Sequence, residues 1–199
     1  MADEKINENP QGFYFNQAAC VGCRTCQMAC KDKNDLNVGY VLRRVSSYEV
    51  GEFPTPGTYH YSGACNHCQS PACVDVCPAG ATYVNAEDGT IQHDASKCIG
   101  CGYCVSACPY GHPVIDEELN IARRCDGCIE LRAAGEQPAC VSACPMRALE
   151  FGPIEELRAA HPDGVAQIAV LPDMTITNPS IVIDAKAIAL EGEPMVMTL

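Results

Sequence analysis

The apolar positions of the chain fall in short runs that alternate with turn-forming stretches. GFYF (12–15), VLRRVSSYEV (41–50) and ALEF (148–151) read as strands. Between 81 and 97, in ATYVNAEDGTIQHDASK, a short β-prone run, a turn at Asp88-Gly89 and a second strand-like stretch ending at His93 predict a hairpin. PIEELRAAH (153–161) predicts one short helix with Pro153 in its first turn, where a missing N–H costs little. NPSIVID (178–184) has strand character and is expected to wrap the body or a partner. The longest apolar stretches, VAQIAVL (165–171) and SIVIDAKAIAL (180–190), are short or broken by Asp184 and Lys186, so no membrane span is expected.

Composition narrows the class. Aromatics are 6%, Trp is absent, and there are 16 glycines and 14 prolines, so turns are plentiful and large core side chains scarce. Small loop-rich units of this kind rely on cross-links or metal to hold them together. The formal net charge is −12, from 25 acidic against 13 basic residues, which repels phosphate and makes nucleic acid a poor partner. The opening MADEKINENP has no basic n-region, apolar h-region or twin arginine, and so predicts a protein made in a reducing compartment without its own export signal. In that compartment its 16 cysteines are expected as metal ligands rather than as disulfides.

The cysteines form four groups of four with two designs. Cys20, Cys23, Cys26 and Cys30 stand in C-x2-C-x2-C-x3-C spacing, and Cys98, Cys101, Cys104 and Cys108 repeat it. Cys65, Cys68, Cys73 and Cys77 share a second design with Cys125, Cys128, Cys140 and Cys144, both ending in PACVxxCP. The alternating order of the designs is what a tandem duplication leaves behind. The first design is the run of bacterial two-cluster ferredoxins, in which three cysteines hold corners of one cubic cluster and the fourth crosses to another. Pro78, Pro109 and Pro145 follow the last cysteine of three groups, whereas Lys31 follows Cys30. Structural zinc takes pairs and leaves the third cysteine of each triplet without a use. Four 4Fe-4S clusters consume all sixteen thiolates, and iron so ligated has no open position for a substrate.

Other residues near the ligands have two readings. Arg24, Lys31 and Lys97, each beside a ligand, either raise the potential of the neighbouring cluster or stay on the surface as solvated or partner-facing charges. His67, between Cys65 and Cys68, is expected in a hydrogen-bonding or surface role, the cysteines being sufficient as ligands. Tyr103 and Tyr110 are expected as apolar cover. Gly100, Gly102 and Gly111 lie within or just after the third cysteine group, where they serve tight turns, and there is no nucleophile elbow, phosphate loop or dinucleotide fingerprint.

The ladder, with C-x2-C-x11-C-x3-CP as its fourth member, resembles the four-cluster electron-transfer subunits of molybdenum oxidoreductases. The later words ALEFGPIEELRAAH, LPD and NPSIVI are similar, more narrowly, to the iron-sulfur subunits of the dimethyl sulfoxide reductase family, a likeness running from GFYF to about residue 184. The resemblance implies crossed ligation: Cys20, Cys23, Cys26 and Cys144 for a first cluster; Cys30, Cys125, Cys128 and Cys140 for a second; Cys65, Cys68, Cys73 and Cys108 for a third; Cys77, Cys98, Cys101 and Cys104 for a fourth. Nitrate reductase relatives carry tryptophan where Cys101 stands and hold a three-iron cluster, so Cys101 implies four cubanes here.

The expected fold is α+β, with two bacterial-ferredoxin-like two-cluster modules. Groups one and four (1–63 and 117–150) form the first, groups two and three (64–116) form a second inserted in it, and 151–199 is a C-terminal extension expected to dock. The resemblance also implies a non-catalytic relay subunit, peripheral at the cell membrane within a complex. Its expected partners are a molybdenum bis-pterin catalytic subunit and an integral-membrane quinol-oxidising anchor subunit. A polyferredoxin-like enzyme and a free ferredoxin are the alternatives: the first lacks any flavin, pterin or nicotinamide motif, and the second leaves the tail without a task.

Overall fold

The computed structural model describes residues 10–191 and 194–197, so the opening residues on which the reading of the leader rests lie outside the described residues. Seventeen short helices and strands follow one another. They are β1 (Gln11–Asn16), α1 (Thr25–Lys33), β2 (Arg44–Val50), β3 (Gly57–Gly63), α2 (Ala72–Asp75), β4 (Thr82–Val84), β5 (Ile91–His93) and α3 (Tyr103–Ala107). Then come β6 (Val114–Asp116), β7 (Ile121–Arg123), α4 (Ile129–Ala133), α5 (Ala139–Ser142), β8 (Leu149–Pro153), α6 (Ile154–Ala160), β9 (Ile181–Asp184), α7 (Ala187–Leu190) and β10 (Met195–Met197). The mixture is small α+β, and few elements are long enough to bury much surface alone.

One sheet, in the order β8-β1-β9, ties the two ends of the molecule together. β1 pairs antiparallel with β8 (Phe13 opposite Phe151, Phe15 opposite Leu149) and parallel with β9 (Phe13 opposite Ile181, Phe15 opposite Ile183). GFYF does not alternate apolar and polar because both faces of β1 are covered. Phe13 and Phe15 join the main core with the cysteines, while Tyr14 packs with Ile154, Leu157 and Val182 beneath α6. Gly12 is required by the close approach of the neighbouring backbone, since a Cβ there would stand 2.2 Å from the Ser180 carbonyl oxygen. Pro153 ends β8 and caps α6, which therefore begins one residue later than the sequence suggests.

The second sheet, β10-β2-β3, carries the strand expected at 41–50, which starts at Arg44. The hairpin expected at 81–97 is present, with Thr82 opposite His93 and Val84 opposite Ile91. A second hairpin, β6 with β7, was not evident in the sequence, and its turn contains the boundary drawn after residue 116. β3, which leads into the second cysteine group, pairs back with β2, and β6, which leaves the third group, pairs forward with β7. The segment that carries groups two and three is thus joined to the rest of the protein by strand pairing at both of its ends. The tail after residue 150 is built into the body: Ile181, Val182 and Ile183 are buried, and Val165 bridges to Ile183. Among the described residues, no helix is long and apolar enough to cross a membrane.

Candidate metal centres

Each cysteine group begins with a C-x2-C loop that curls because the residue before its second cysteine adopts a left-handed backbone. Gly22, Gly100 and Gly127 take this position with φ near 68°, and His67 takes it in the remaining group with φ 44°. His67 meets that cost by burial: its ring stacks 6.2 Å from Phe13 and meets Phe151 edge-on at 6.1 Å. Its Nδ1 accepts the Ile91 amide at 3.0 Å, and burial together with the charge of Arg124 pushes its pKa down to about 3. His67 is therefore a neutral core residue rather than a surface one, and its Nδ1 is already occupied.

Helix pairing brings distant groups together. α1, carrying Cys26 and Cys30, packs on α5, which carries Cys140 and leads to Cys144; α2, carrying Cys73, packs on α3, which carries Cys104. Cys20, Cys23, Cys26 and Cys144 line one cavity of about 330 Å³. Cys77, Cys98, Cys101 and Cys104 line another of about 310 Å³. Both volumes include the space open to solvent at the mouth.

The other eight cysteines also lie near enough to influence one another's thiols. Burial pushes the Cys68 thiol up to about 12, with Cys65, Cys108 and Cys73 near enough to add to the shift. Cys30 is pushed up to about 12 by burial, and Cys140 and Cys128 contribute. Burial also raises Cys125, to which Cys30 and Cys140 contribute. Neighbouring sets lie near enough for the thiols to raise one another in turn, Cys140 acting on Cys26, Cys65 on Cys125 and Cys73 on Cys104. All sixteen cysteines are free thiols, with Cys23 and Cys101 exposed and the rest half-buried or buried.

The surroundings suit anionic groups. Among the described residues, buried donors without partners include Arg43 Nη2, Arg124 Nε, His67 Nε2 and Asn66 Nδ2. A buried guanidinium needs an anion to offset its lost hydration. Arg43 lies under the ring of Phe13, 4.4 Å from its centroid, and donates to Ser62 O and Oγ at 2.9 and 3.1 Å. Burial works against its charge, and Cys140, Cys125, Cys26 and Cys30 lie close enough to offset that cost once they are thiolates. Further donors aim at sulfur: the Ala148 amide at Cys144, 3.3 Å, the Ala122 amide at Cys98, 3.4 Å, and the Ser62 hydroxyl in contact with Cys26 at 3.3 Å. Burial raises the thiols of Cys26, Cys30, Cys73, Cys104, Cys125 and Cys128, which therefore hold their protons until iron displaces them. Among the described residues, no group of three or more His, Cys, Asp or Glu is arranged around a single metal ion. Free thiols gathered beside buried cations and amide donors are a donor set whose chemistry fits anionic iron-sulfur clusters.

Of the basic residues singled out by adjacency to a ligand, Arg24 borders the cavity of Cys20, Cys23, Cys26 and Cys144. Lys31 instead binds the loop carbonyls of Leu36, Asn37 and Tyr40, and Lys97 pairs with Asp94 at 3.0 Å on the surface. Arg43 and Arg124 were missed, although Arg124 directly precedes Cys125 and meets the same adjacency criterion. Tyr103 does line the cavity of Cys77, Cys98, Cys101 and Cys104 but is 59% exposed, whereas Tyr110 is half-buried and stacked on His112.

Curled cysteine loops, the packing of remote cysteine groups against one another and buried cations beside them define an iron-sulfur electron-transfer protein. Residues 57–154 match the 4Fe-4S dicluster domain family and residues 17–37 the 4Fe-4S binding domain family. The sequence is 44% identical over 184 residues to a component of the anaerobic dimethyl sulfoxide reductase of Escherichia coli K12, covering 88% of this protein and 89% of that one. It is 40% identical to the thiosulfate reductase electron transfer subunit PhsB of Salmonella typhi (74% and 78% covered). Identity is 37% with a component of the sulfite dehydrogenase of Allochromatium vinosum (76% and 70%). This protein belongs to the iron-sulfur subunit family of the dimethyl sulfoxide reductases.

Proposed function

We propose that this protein relays electrons through four 4Fe-4S clusters between a membrane quinol-oxidising subunit and a molybdenum-containing catalytic subunit, taking no part in the chemistry of the substrate. The ligand sets are Cys20, Cys23, Cys26, Cys144; Cys30, Cys125, Cys128, Cys140; Cys65, Cys68, Cys73, Cys108; and Cys77, Cys98, Cys101, Cys104. The observation that carries this reading is the convergence of sequence-remote cysteines: Cys144 with the first group, and Cys30 with the fourth. Bound clusters supply one-electron redox chemistry. The protein's own residues curl around them, exclude water and direct amide, hydroxyl and guanidinium donors at sulfur.

The series of neighbouring sets, each close enough to shift thiols of the next, supports a row that runs from the first to the fourth, with the first and fourth sets at the ends. Exposed apolar side chains lie at the mouths of both end cavities. Val21 and Met146, 56% and 45% exposed, line the first, and Ile99 and Tyr103, 62% and 59% exposed, line the other. Such patches mark interaction surfaces. They support docking better than the tail does, because the tail as far as Asp184 is committed to the body. By family resemblance, the first end faces the catalytic subunit and the fourth the membrane, within a complex held peripherally at the membrane. Purification of the native protein in mild detergent tests this: a much larger molybdenum-containing partner should accompany it, and quinol should reduce that partner only through this protein. Elution as a free, active monomeric carrier would overturn it.

A further inference from the structure

The four cysteine sets do not receive the same kind of hydrogen bond. Cys23, Cys26 and Cys30 are approached by the neutral Thr25 hydroxyl, Ser62 hydroxyl and Asn34 amide. Cys98, Cys125 and Cys144 receive backbone amides. Only the set of Cys65, Cys68, Cys73 and Cys108 receives a formal charge, among the described residues: Arg124 donates from Nη2 to Cys65 Sγ at 3.0 Å and from Nη1 to Cys73 Sγ at 3.4 Å. Arg124 is 8% exposed, its Nε has no partner, and the two sulfurs are its only side-chain hydrogen-bond partners among the described residues. Arg43, the other buried guanidinium, donates to Ser62 and not to sulfur.

We infer that Arg124 sets the reduction potential of the third cluster, holding it above the value that its four cysteines alone would give. The physical reasoning is direct. Reduction adds one negative charge, so a fixed buried cation stabilises the reduced form more than the oxidised one, and charged hydrogen bonds are about twice as strong as neutral ones. The guanidinium is buried, so its charge is less screened than at the surface. Because the fork spans two ligands of one set, its effect falls on that cluster first. Arg24, at the mouth of the first cavity, and Lys97, on the surface beside Asp94, lack both the burial and the contact with sulfur.

This inference rests on the proposed grouping of Cys65 and Cys73 with Cys108. The test is a redox titration of the whole complex followed by electron paramagnetic resonance, in the Arg124→Gln and Arg124→Lys variants, with iron counted in each. In Arg124→Gln one cluster signal should fall in potential by at least a tenfold change in its one-electron equilibrium, about 59 mV. Arg124→Lys retains charge and similar volume, and it should move the same signal less, which keeps the test open if the glutamine variant fails to assemble. Cys65→Ser identifies the signal independently of any grouping. A shift confined to the signal disturbed by Cys65→Ser supports the inference. No shift, or equal shifts in both Arg124 variants, overturns it. If Cys108→Ser disturbs a different signal from Cys65→Ser while the Arg124 variants still follow Cys65→Ser, the grouping fails and the role of Arg124 stands.

Discussion

Gly100 and Gly102 flank Cys101, and both have left-handed backbones, φ 68° and 76°, yet alanine should be tolerated very differently at the two. A Cβ on Gly102 meets nothing within 4 Å, so Gly102→Ala costs only the left-handed penalty of about 1–2 kcal/mol. A Cβ on Gly100 would stand 2.5 Å from the backbone oxygen of Asn120 and 2.6 Å from its side-chain oxygen. Asn120 lies in the turn between β6 and β7, and a backbone oxygen cannot rotate out of the way. Gly100→Ala thus adds an overpacking cost of about 1–3 kcal/mol, for a total of about 2–5. Stiffening of the unfolded state offsets about 0.4–1 kcal/mol in both and cancels in the comparison. Unfolding of a protein with bound clusters is not two-state, so rates should be compared rather than equilibria. With chelator present under argon, Gly100→Ala should release the iron of the exposed Cys101 site roughly ten- to a hundredfold faster than Gly102→Ala. Equal rates, or a faster Gly102→Ala, would refute the role given to the β6–β7 turn in bracing this loop.

Anaerobic metal analysis should find about sixteen iron and sixteen acid-labile sulfide per molecule, without stoichiometric zinc. Twelve to fifteen iron with a three-iron signal would instead leave one ligand, Cys101, unused. Tyr14→Phe removes the 2.5 Å hydrogen bond from Tyr14 to Asp184, which links β1 to the end of β9. It should lower stability by about 1–2 kcal/mol, measured as faster thermal inactivation, with cluster potentials unchanged. Val21→Asp should weaken retention of the molybdenum partner on purification, whereas Ile99→Asp should slow quinol-driven reduction and leave the molybdenum partner in place. The reverse pattern would exchange the two ends of the row.

Much of the chemistry was legible because thiolate spacing is local: the C-x2-C loops and the repeated PACVxxCP words stand in a few consecutive residues. The strands GFYF and ALEF and the hairpin at 81–97 were legible for the same reason. The hairpin of β6 and β7 was not, since Val114–Asp116 and Ile121–Arg123 are each three residues long and too short for a period to declare itself. The strand character of NPSIVID was legible too, but not its place beside GFYF, because parallel pairing over that separation has no local signal. Arg43 and Arg124 were not singled out in the sequence. Only the fold shows them buried among sulfurs, while Lys31, which seemed equally close to a ligand, turns to bind loop carbonyls.

The account depends most on the crossing of ligands between remote groups, above all on Cys144 joining Cys20, Cys23 and Cys26 in one cavity. The decisive measurement is low-temperature electron paramagnetic resonance of the reduced complex in Cys20→Ser and Cys144→Ser. Both variants should alter one and the same cluster signal and leave unchanged the signal altered by Cys140→Ser. If Cys144→Ser instead alters the signal that Cys140→Ser alters, each cysteine group ligates within itself and the crossed row proposed here is wrong.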